Sequence, residues 1–257
     1  MNIVVCVKLT PDPGDIEVRS NGSISLERAE WGIGGFDLQA IEAAVKLVEG
    51  NGGKVIALSA GPARINQSKL KKDILSRGPD ELIMIADDAL ANADTGTTAS
   101  VLAAAIGRIE APDLVLCGEG SADLYFQQVG LQLGERLNMP ALNAISAIQA
   151  GGDMLRVERS LEDEIEVLDV PLPAVLSVTT DINQPRLPTM KEILRASKKP
   201  VIEMSLSDLN LENLESQVET VSTTAPRQVQ RKQVALSGTP EEMAQALVEH
   251  LRKDGVL

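Results

Sequence analysis

Gly118-Glu119-Gly120-Ser121-Ala122-Asp123 is the segment of this sequence best placed to receive a ligand. It follows the apolar run Leu114-Val115-Leu116-Cys117 and opens a stretch with a helical pattern. At such a strand-to-helix turn, backbone N–H groups and the helix dipole can meet a nucleotide. A tight turn explains two glycines as readily as a ligand does. Glu119 and Asp123 suit ribose or adenine and would repel phosphate. Gly32-Ile33-Gly34-Gly35-Phe36-Asp37 is a second glycine-rich turn ahead of a helix, and Ala60-Gly61-Pro62 is a third, after a strand. In an open parallel sheet these strand exits share the carboxyl edge, where ligands bind. All four aromatics of the chain, Trp31, Phe36, Tyr125 and Phe126, flank the first two turns. Core packing would scatter them. A planar ligand or a subunit contact accounts for the grouping better.

Other chemistries find little support. There is no Walker phosphate loop and no complete Gly-x-Gly-x-x-Gly. A nicotinamide-dependent oxidoreductase would need that fingerprint and an acidic residue after the second strand, which ends instead in Ser59-Ala60-Gly61. His250 is the single histidine, so a histidine-dependent triad or a multi-histidine zinc site has one residue to draw on. Its amphipathic surroundings predict a solvated helix surface. Cys6 and Cys117 lie in strand-like runs and read as buried thiols rather than a disulfide framework. The acidic run Glu158, Glu162, Asp163, Glu164, Glu166 has no calcium-loop glycine spacing. Its alternation with Leu161, Ile165 and Val167 predicts a strand with a solvated acidic face. No metal site and no catalytic constellation emerge.

Elements able to hold the three turns follow from hydrophobic period. The 257 residues are 44% hydrophobic, enough for a substantial core, and with 2% aromatics that core must be aliphatic. Ile3–Val7 is a β-branched run expected of a strand covered on both faces. Alternation around Asn21-Gly22 predicts a two-residue hairpin. Asp37 can cap a helix from Leu38 to about Val48. Strand Val55–Leu58, helix Ile65–Leu75, strand Leu82–Ile85, a helix capped by Thr95 or Thr97 and reaching Ile109, strand Leu114–Cys117 and helix Asp123–Leu137 follow. This rhythm predicts an α/β fold: a mostly parallel, open, Rossmann-like sheet with helices on both faces.

After Pro140 the strand-like segments Ile145–Ile148, Met154–Glu158, Ile165–Val170 and Ala174–Val178 come without helices between them, as in an antiparallel or mixed extension. Asn210–Lys232 is polar and without period, and reads as an extended arm. Thr239, Pro240 and Glu242 open a final helix with a capping box. The expected division is an α/β domain over 1–200 and an arm over 201–257 whose helix docks on a partner subunit. The net charge of −13 argues against a nucleic-acid platform. No signal-peptide pattern or bilayer-length apolar run is present, which predicts a cytoplasmic protein without membrane insertion.

Several ordered segments together resemble the β subunit of electron-transfer flavoproteins across about residues 1–200. They are Val4-Val5-Cys6-Val7-Lys8 with Pro11-Asp12, Phe36-Asp37-Leu38-Gln39-Ala40-Ile41-Glu42-Ala43-Ala44, the Gly118–Gly130 loop, Val157-Glu158-Arg159 through Glu162-Asp163-Glu164 to Pro173-Ala174-Val175, and Pro185-Arg186 with Met190-Lys191 and Ile193-Leu194. Ser76–Leu82 and Asp123–Gly130 look closest to the branch linked with anaerobic carnitine-type metabolism and nitrogen fixation. The resemblance implies an electron carrier subunit rather than an enzyme. It would pair with an α subunit that holds most of a shared FAD, and shuttle electrons between an acyl-CoA-type dehydrogenase or other redox partner and a reductase. It also implies that the β subunit buries AMP or a second FAD. That nucleotide would meet Cys6, Gly34, Gly35, Phe36, Asp37, Ala60, Gly118, Gly120, Ser121, Asp123, Tyr125, Phe126, Gln127, Gln128 and Val129. Met190 would take the place of the leucine that anchors redox partners. Tyr125 and Phe126 stand where the family usually has polar residues that help hold phosphates, and Gly34-Gly35 where it has Asn-Pro, so an empty β site is the third expectation. The competing class is a standalone nucleotide-sensing domain of the universal-stress type, which the antiparallel second half and the arm disfavour.

Overall fold

The computed structural model describes residues 1–211, 214, 216–226 and 232–257. Strand β1 (Asn2–Cys6) leads through a short pair, β2 (Leu9–Pro11) and β5 (Trp31–Ile33), which encloses the hairpin β3 (Glu17–Val18) and β4 (Ile24–Ser25). Helix α1 (Gly35–Asn51), β6 (Lys54–Gly61), α2 (Ser68–Ser76), β7 (Glu81–Ala86), α3 (Thr95–Ile106), β8 (Leu114–Gly118) and α4 (Val129–Leu137) then alternate. Next come β9 (Ala141–Gly151), β10 (Met154–Ser160), β11 (Ile165–Pro171) and β12 (Ala174–Val178), followed by α5 (Met190–Ala196), β13 (Val201–Glu203) and α6 (Pro240–Lys253).

The main sheet has nine strands in the order β11-β10-β9-β12-β8-β1-β6-β7-β13. From β9 to β13 neighbours run parallel, while β10 is antiparallel to β9 and to β11. The expected fold class is therefore observed. β-Branched and aliphatic runs suit the central strands because helices cover both faces. In β1, Ile3 and Val5 pack with Ala40, Ile41 and Ala44 of α1 and Leu70 and Ile74 of α2. The alternate residues Val4 and Cys6 pack with Ala99, Val101 and Leu102 of α3 and Leu133 of α4.

Several local expectations change. The hairpin loop has three residues, Ser20–Gly22: Gly22 N–H donates to the Arg19 carbonyl, and Arg19 N–H to the Ser23 carbonyl. Gly22 takes φ +81° there, which glycine adopts without steric cost. Helix α2 starts at Ser68, after a separate 3-10 turn at Ala63–Ile65. The cap of α3 is Asp94, not a threonine; its Oδ1 accepts from Thr97 N–H at 2.6 Å. The alternation in β11 is real, but its faces are reversed. Ile165 and Val167 are exposed, while Glu166 turns inward to meet Arg159 Nη1 at 3.3 Å. This edge strand thus presents apolar side chains to solvent. The capping box of α6 is present, and His250 is exposed on that helix.

Past residue 200 the chain does not leave the domain at once. β13 extends the sheet beside β7, and Leu206 and Leu209 are buried in the α3/α4 core. Further on, Gln217 and Val218 N–H groups donate to Asp94 Oδ2, and Thr224 bridges Ser23 of the hairpin. The remainder of the expected arm, at 212, 213, 215 and 227–231, lies outside the described residues.

Helix α4 approaches the sheet through glycine. A Cβ on Gly134 would lie 2.4 Å from the Ala141 Cβ, and one on Gly130 would lie 2.1 Å from Ser177 Oγ. Gly134→Val should therefore destabilise the protein by about 1–3 kcal/mol through overpacking, read as a lower urea midpoint with an unchanged slope. An unchanged midpoint would show that the helix can lift without cost.

Candidate functional site

β1 has β6 on one side and β8 on the other. The crossovers through α1 and α2 cover one face, and those through α3 and α4 the other. The winding reverses between β1 and β8, which opens a crevice at their carboxyl ends. Three of the sequence-predicted groups meet there: Cys6 at the end of β1, the Gly34–Asp37 turn at the start of α1, and the Gly118–Asp123 loop leaving β8. Ala60 sits on the far flank of β1, at the end of β6.

Asp37 is not the cap of α1. Gly34 is, and Asp37 lies in the first turn with its side chain folded inward. It is 6% exposed. Its Oδ2 accepts from Lys8 N–H at 2.8 Å, and the backbone N–H of Gly118 also bonds it. One carboxyl thus ties the exits of β1 and β8. Burial raises its pKa from the ordinary 3.8 to about 7, against the pull of those two N–H bonds and the Lys8 charge. A Cβ on Gly118 would lie 2.6 Å from Asp37 Oδ1 and 2.7 Å from the Phe36 Cβ, so this position excludes side chains. Cys6 and Cys117 are both buried free thiols beneath the crevice, and their proximity together with burial pushes the Cys6 thiol up. They are inert packing groups.

The expected helix from Asp123 is absent. Residues 121–128 form a loop in which Tyr125 and Gln127 take φ +49° and +57°, and α4 begins only at Val129. Its shape comes from side chains. Tyr125 Oη donates to Glu119 Oε1 at 2.9 Å, and Gln127 Nε2 donates to the same carboxylate. The Tyr125 ring lies over Gly120, where a Cβ would be 2.5 Å from it, and stacks on Phe36 at 5.1 Å between centroids. Lys8 Nζ donates to both oxygens of Asp123, at 2.7 and 2.8 Å. Burial pushes the Asp123 carboxyl up, but hydrogen bonds from Lys8 and Ser121 outweigh it and leave the group below its ordinary range. Gln128 turns away to accept from Thr95 Oγ1 at 3.0 Å, Phe126 is exposed, and Val129 packs into the α3/α4 core. Of the aromatics, Phe36 and Tyr125 meet; Trp31 lies instead under the Arg64 guanidinium at 5.3 Å.

Lys8 was missed by sequence reasoning. The signal was its place, two residues beyond the last residue of the central strand and so on the ligand edge. The residues present fit the base and ribose of a nucleotide. Gly118 and Gly120 leave bare backbone, Phe36 and Tyr125 offer a flat wall, and Glu119 and Asp123 can accept from ribose hydroxyls. They do not fit its phosphate: Lys8 is already engaged by Asp123, Glu119 adds negative charge, and no helix start follows Gly120.

A second group is built around α5. Its N-terminus is closed reciprocally by Thr189 and Glu192. Met190, the first helical residue, is 73% exposed, and Leu187 is 86% exposed, with Ile193 and Leu194 beside them. Among the described residues no cluster of His, Cys, Asp or Glu could hold a metal, and no helix is long and apolar enough to cross a membrane.

Fold and crevice together define a doubly wound, Rossmann-like α/β protein. The family model described as electron transfer flavoprotein domain matches residues 23–209. This chain belongs to the electron transfer flavoprotein family, a family of flavin-associated electron carriers.

The pH dependence of Asp37 follows from its burial. Below about pH 4 the carboxyl is protonated in the folded and unfolded chain alike. Between 3.8 and about 7 the unfolded chain releases the proton while the folded chain keeps it, so stability falls as pH rises. Above that window both forms are ionised and the loss is complete. Asp37→Asn should remove this component. The stability difference, variant minus wild type, should rise between pH 4 and 7 by on the order of 1.4 kcal/mol per unit. Urea titrations across that range measure it, and a flat difference counts against a protonated Asp37.

Proposed function

We propose that this chain is the β subunit of a heterodimeric electron-transfer flavoprotein. It is a carrier subunit in the cytoplasm and makes no bonds itself. A partner α subunit holds most of the FAD, and this chain closes part of that site. The complex takes electrons from an acyl-CoA-type dehydrogenase or another redox partner and passes them to a reductase. The observation that carries this reading is the switch-point crevice formed by Lys8, Gly34–Asp37 and Gly118–Asp123 in a chain of this family. The β assignment is supported by the ordered segments Val4–Lys8, Phe36–Ala44, Val157–Glu166 and Pro185–Leu194. The outward apolar side chains of β11 and the exposed helix α6 suit a protein that docks on a larger subunit.

In this reading Gly118, Gly120, Phe36 and Tyr125 flank the ring of a nucleotide held on the β side, with Cys6, Gly34, Gly35, Ala60, Ser121 and Gln127 around it. AMP needs the Lys8–Asp123 pair to open so that Lys8 can meet the phosphate. Met190 and its apolar neighbours form the surface that meets redox partners, where a flexible thioether adapts to more than one of them.

Co-expression with the α subunit, followed by counting flavin and adenine nucleotide per purified complex, tests the assignment. The expected result is one FAD per heterodimer and substoichiometric AMP. Two FAD would move the complex to electron bifurcation, and failure to form a heterodimer would refute the β reading. Met190→Ala should slow electron transfer with a partner while leaving flavin content intact; lost flavin would remove the docking role from this residue. Deleting residues 238–257 should weaken α-subunit association without unfolding the domain, since α6 buries none of its residues. Unchanged co-purification would count against a docking helix.

A further inference from the structure

Leu187, Met190 and Leu194 are exposed on a segment with little core packing of its own, because of all α5 only Ala196 is buried. Besides its contact with α2, what fixes the segment is polar and lies at its two ends. At the start, Arg186 forks onto two carboxylates of α1. Its Nε donates to Glu42 Oε2 at 2.7 Å and its Nη2 to Glu42 Oε1 at 3.2 Å. Nη1 and Nη2 donate to Glu49 at 2.8 and 3.1 Å, and the Arg186 backbone N–H adds a bond to Glu42 Oε2 at 3.2 Å. Just upstream, Asn183 Nδ2 donates to the Gln39 carbonyl at 3.0 Å. At the far end, Lys199 Nζ donates to the carbonyls of Leu75, Gly78 and Pro79 at 2.9, 3.2 and 2.6 Å.

The start is the stronger fastening. Glu42 is 4% exposed, and a carboxylate so deeply placed persists only with a cationic partner. Lys46 Nζ lies 3.6 Å from Glu42 Oε1 one turn along α1, and Arg186 supplies the closer partner with a planar fork, which fixes direction as well as distance. Leu187 is the next residue and Met190 lies four positions on, so the direction of the fork sets where the exposed apolar side chains begin.

We propose that Arg186 is a positioning residue for redox-partner docking. Its fork to Glu42 and Glu49 holds residues 187–196 in their docking shape before any partner arrives. Ordering a flexible segment at the moment of encounter would weaken binding, and pre-ordering removes that loss. The inference rests on the docking reading of Met190 and its neighbours, and it adds the group that makes that surface rigid. Lysine cannot substitute, because a point charge on a flexible stem reproduces the attraction without the fork.

The test is Arg186→Lys in the FAD-loaded heterodimer, assayed with the host acyl-CoA dehydrogenase that reduces the wild-type complex. Hydrogen exchange of residues 187–196 is measured in parallel. The expected result is KM for the heterodimer raised about tenfold with kcat within about twofold, a split that marks lost docking rather than lost electron transfer. Exchange in 187–196 should accelerate, with flavin content and melting temperature unchanged. If Arg186→Lys leaves KM and exchange unchanged while Met190→Ala raises KM, the positioning role is overturned and the docking surface stands. If neither Met190→Ala nor Leu194→Ala moves KM, the docking surface itself fails and the inference falls with it. Parallel loss of flavin and melting temperature in Arg186→Lys would make the residue a structural clamp only and overturn the proposal. Should that variant not fold, the neutral pair Glu42→Gln with Arg186→Gln must give the same rise in KM and exchange.

Discussion

The Asp37 carboxyl is the group on which the candidate site depends. An open parallel sheet leaves a gap wherever its winding reverses, because the two strands flanking that point send their chains to opposite faces. Nothing in the sheet ladder holds those exits together. Here one buried carboxyl does, through the N–H groups of Lys8 and Gly118. Gly118 must then be glycine, because a side chain would collide with Asp37 and Phe36. Burial makes the carboxyl a poor anion, while the two N–H donors reward its charge. The position therefore sits between two protonation states near neutrality.

Helix α1 connects this point to the exposed apolar segment around α5. Its first turn carries Phe36 and Asp37 into the crevice, and later turns carry Glu42 and Glu49 to Arg186. In between, Ala40, Ile41 and Ala44 press on β1 and its neighbours, so the helix cannot rotate without unpacking the core. The alanines at 40 and 44 let the helix lie close to the sheet. The nucleotide-type crevice and the exposed apolar segment around α5 are thus parts of one rigid frame, spaced by a helix of 17 residues.

The layered sheet was legible in the sequence because each central strand is a continuous aliphatic run and each helix has its own apolar face. Ile3–Val7 and Leu114–Cys117 could hardly be anything else. The two short strands β2 and β5 escaped because three residues carry no measurable period, and β13 escaped because Val201–Glu203 follows Pro200 in a polar stretch. The loop at 121–128 was read as helix because its residue types permit one. Its real shape comes from tertiary bonds of Tyr125 and Gln127 to Glu119, which no local pattern encodes. The inward turn of Asp37 was hidden for the same reason: an aspartate ahead of a helix looks like a cap whether its oxygen serves its own helix or a strand 29 residues away. The aromatics gathered at two turns predict a planar ligand or a subunit contact; in the fold Phe36 and Tyr125 pack on each other, while Trp31 and Phe126 lie outside that pair.

The reversed faces of β11 bear on how the chain is made. An edge strand offers a row of unpaired backbone groups, and Ile165 and Val167 flank that row with apolar side chains, with Asp169 the one exposed charge on the same face of the strand. Two copies meeting edge to edge would satisfy both needs at once. Asp169 of β11, with Arg156 and Glu158 of the neighbouring β10, opposes such pairing only where like charges fall opposite each other. An uncovered β11 edge is therefore a route to aggregation, and keeping it covered is a requirement on the surroundings of the chain rather than on the fold.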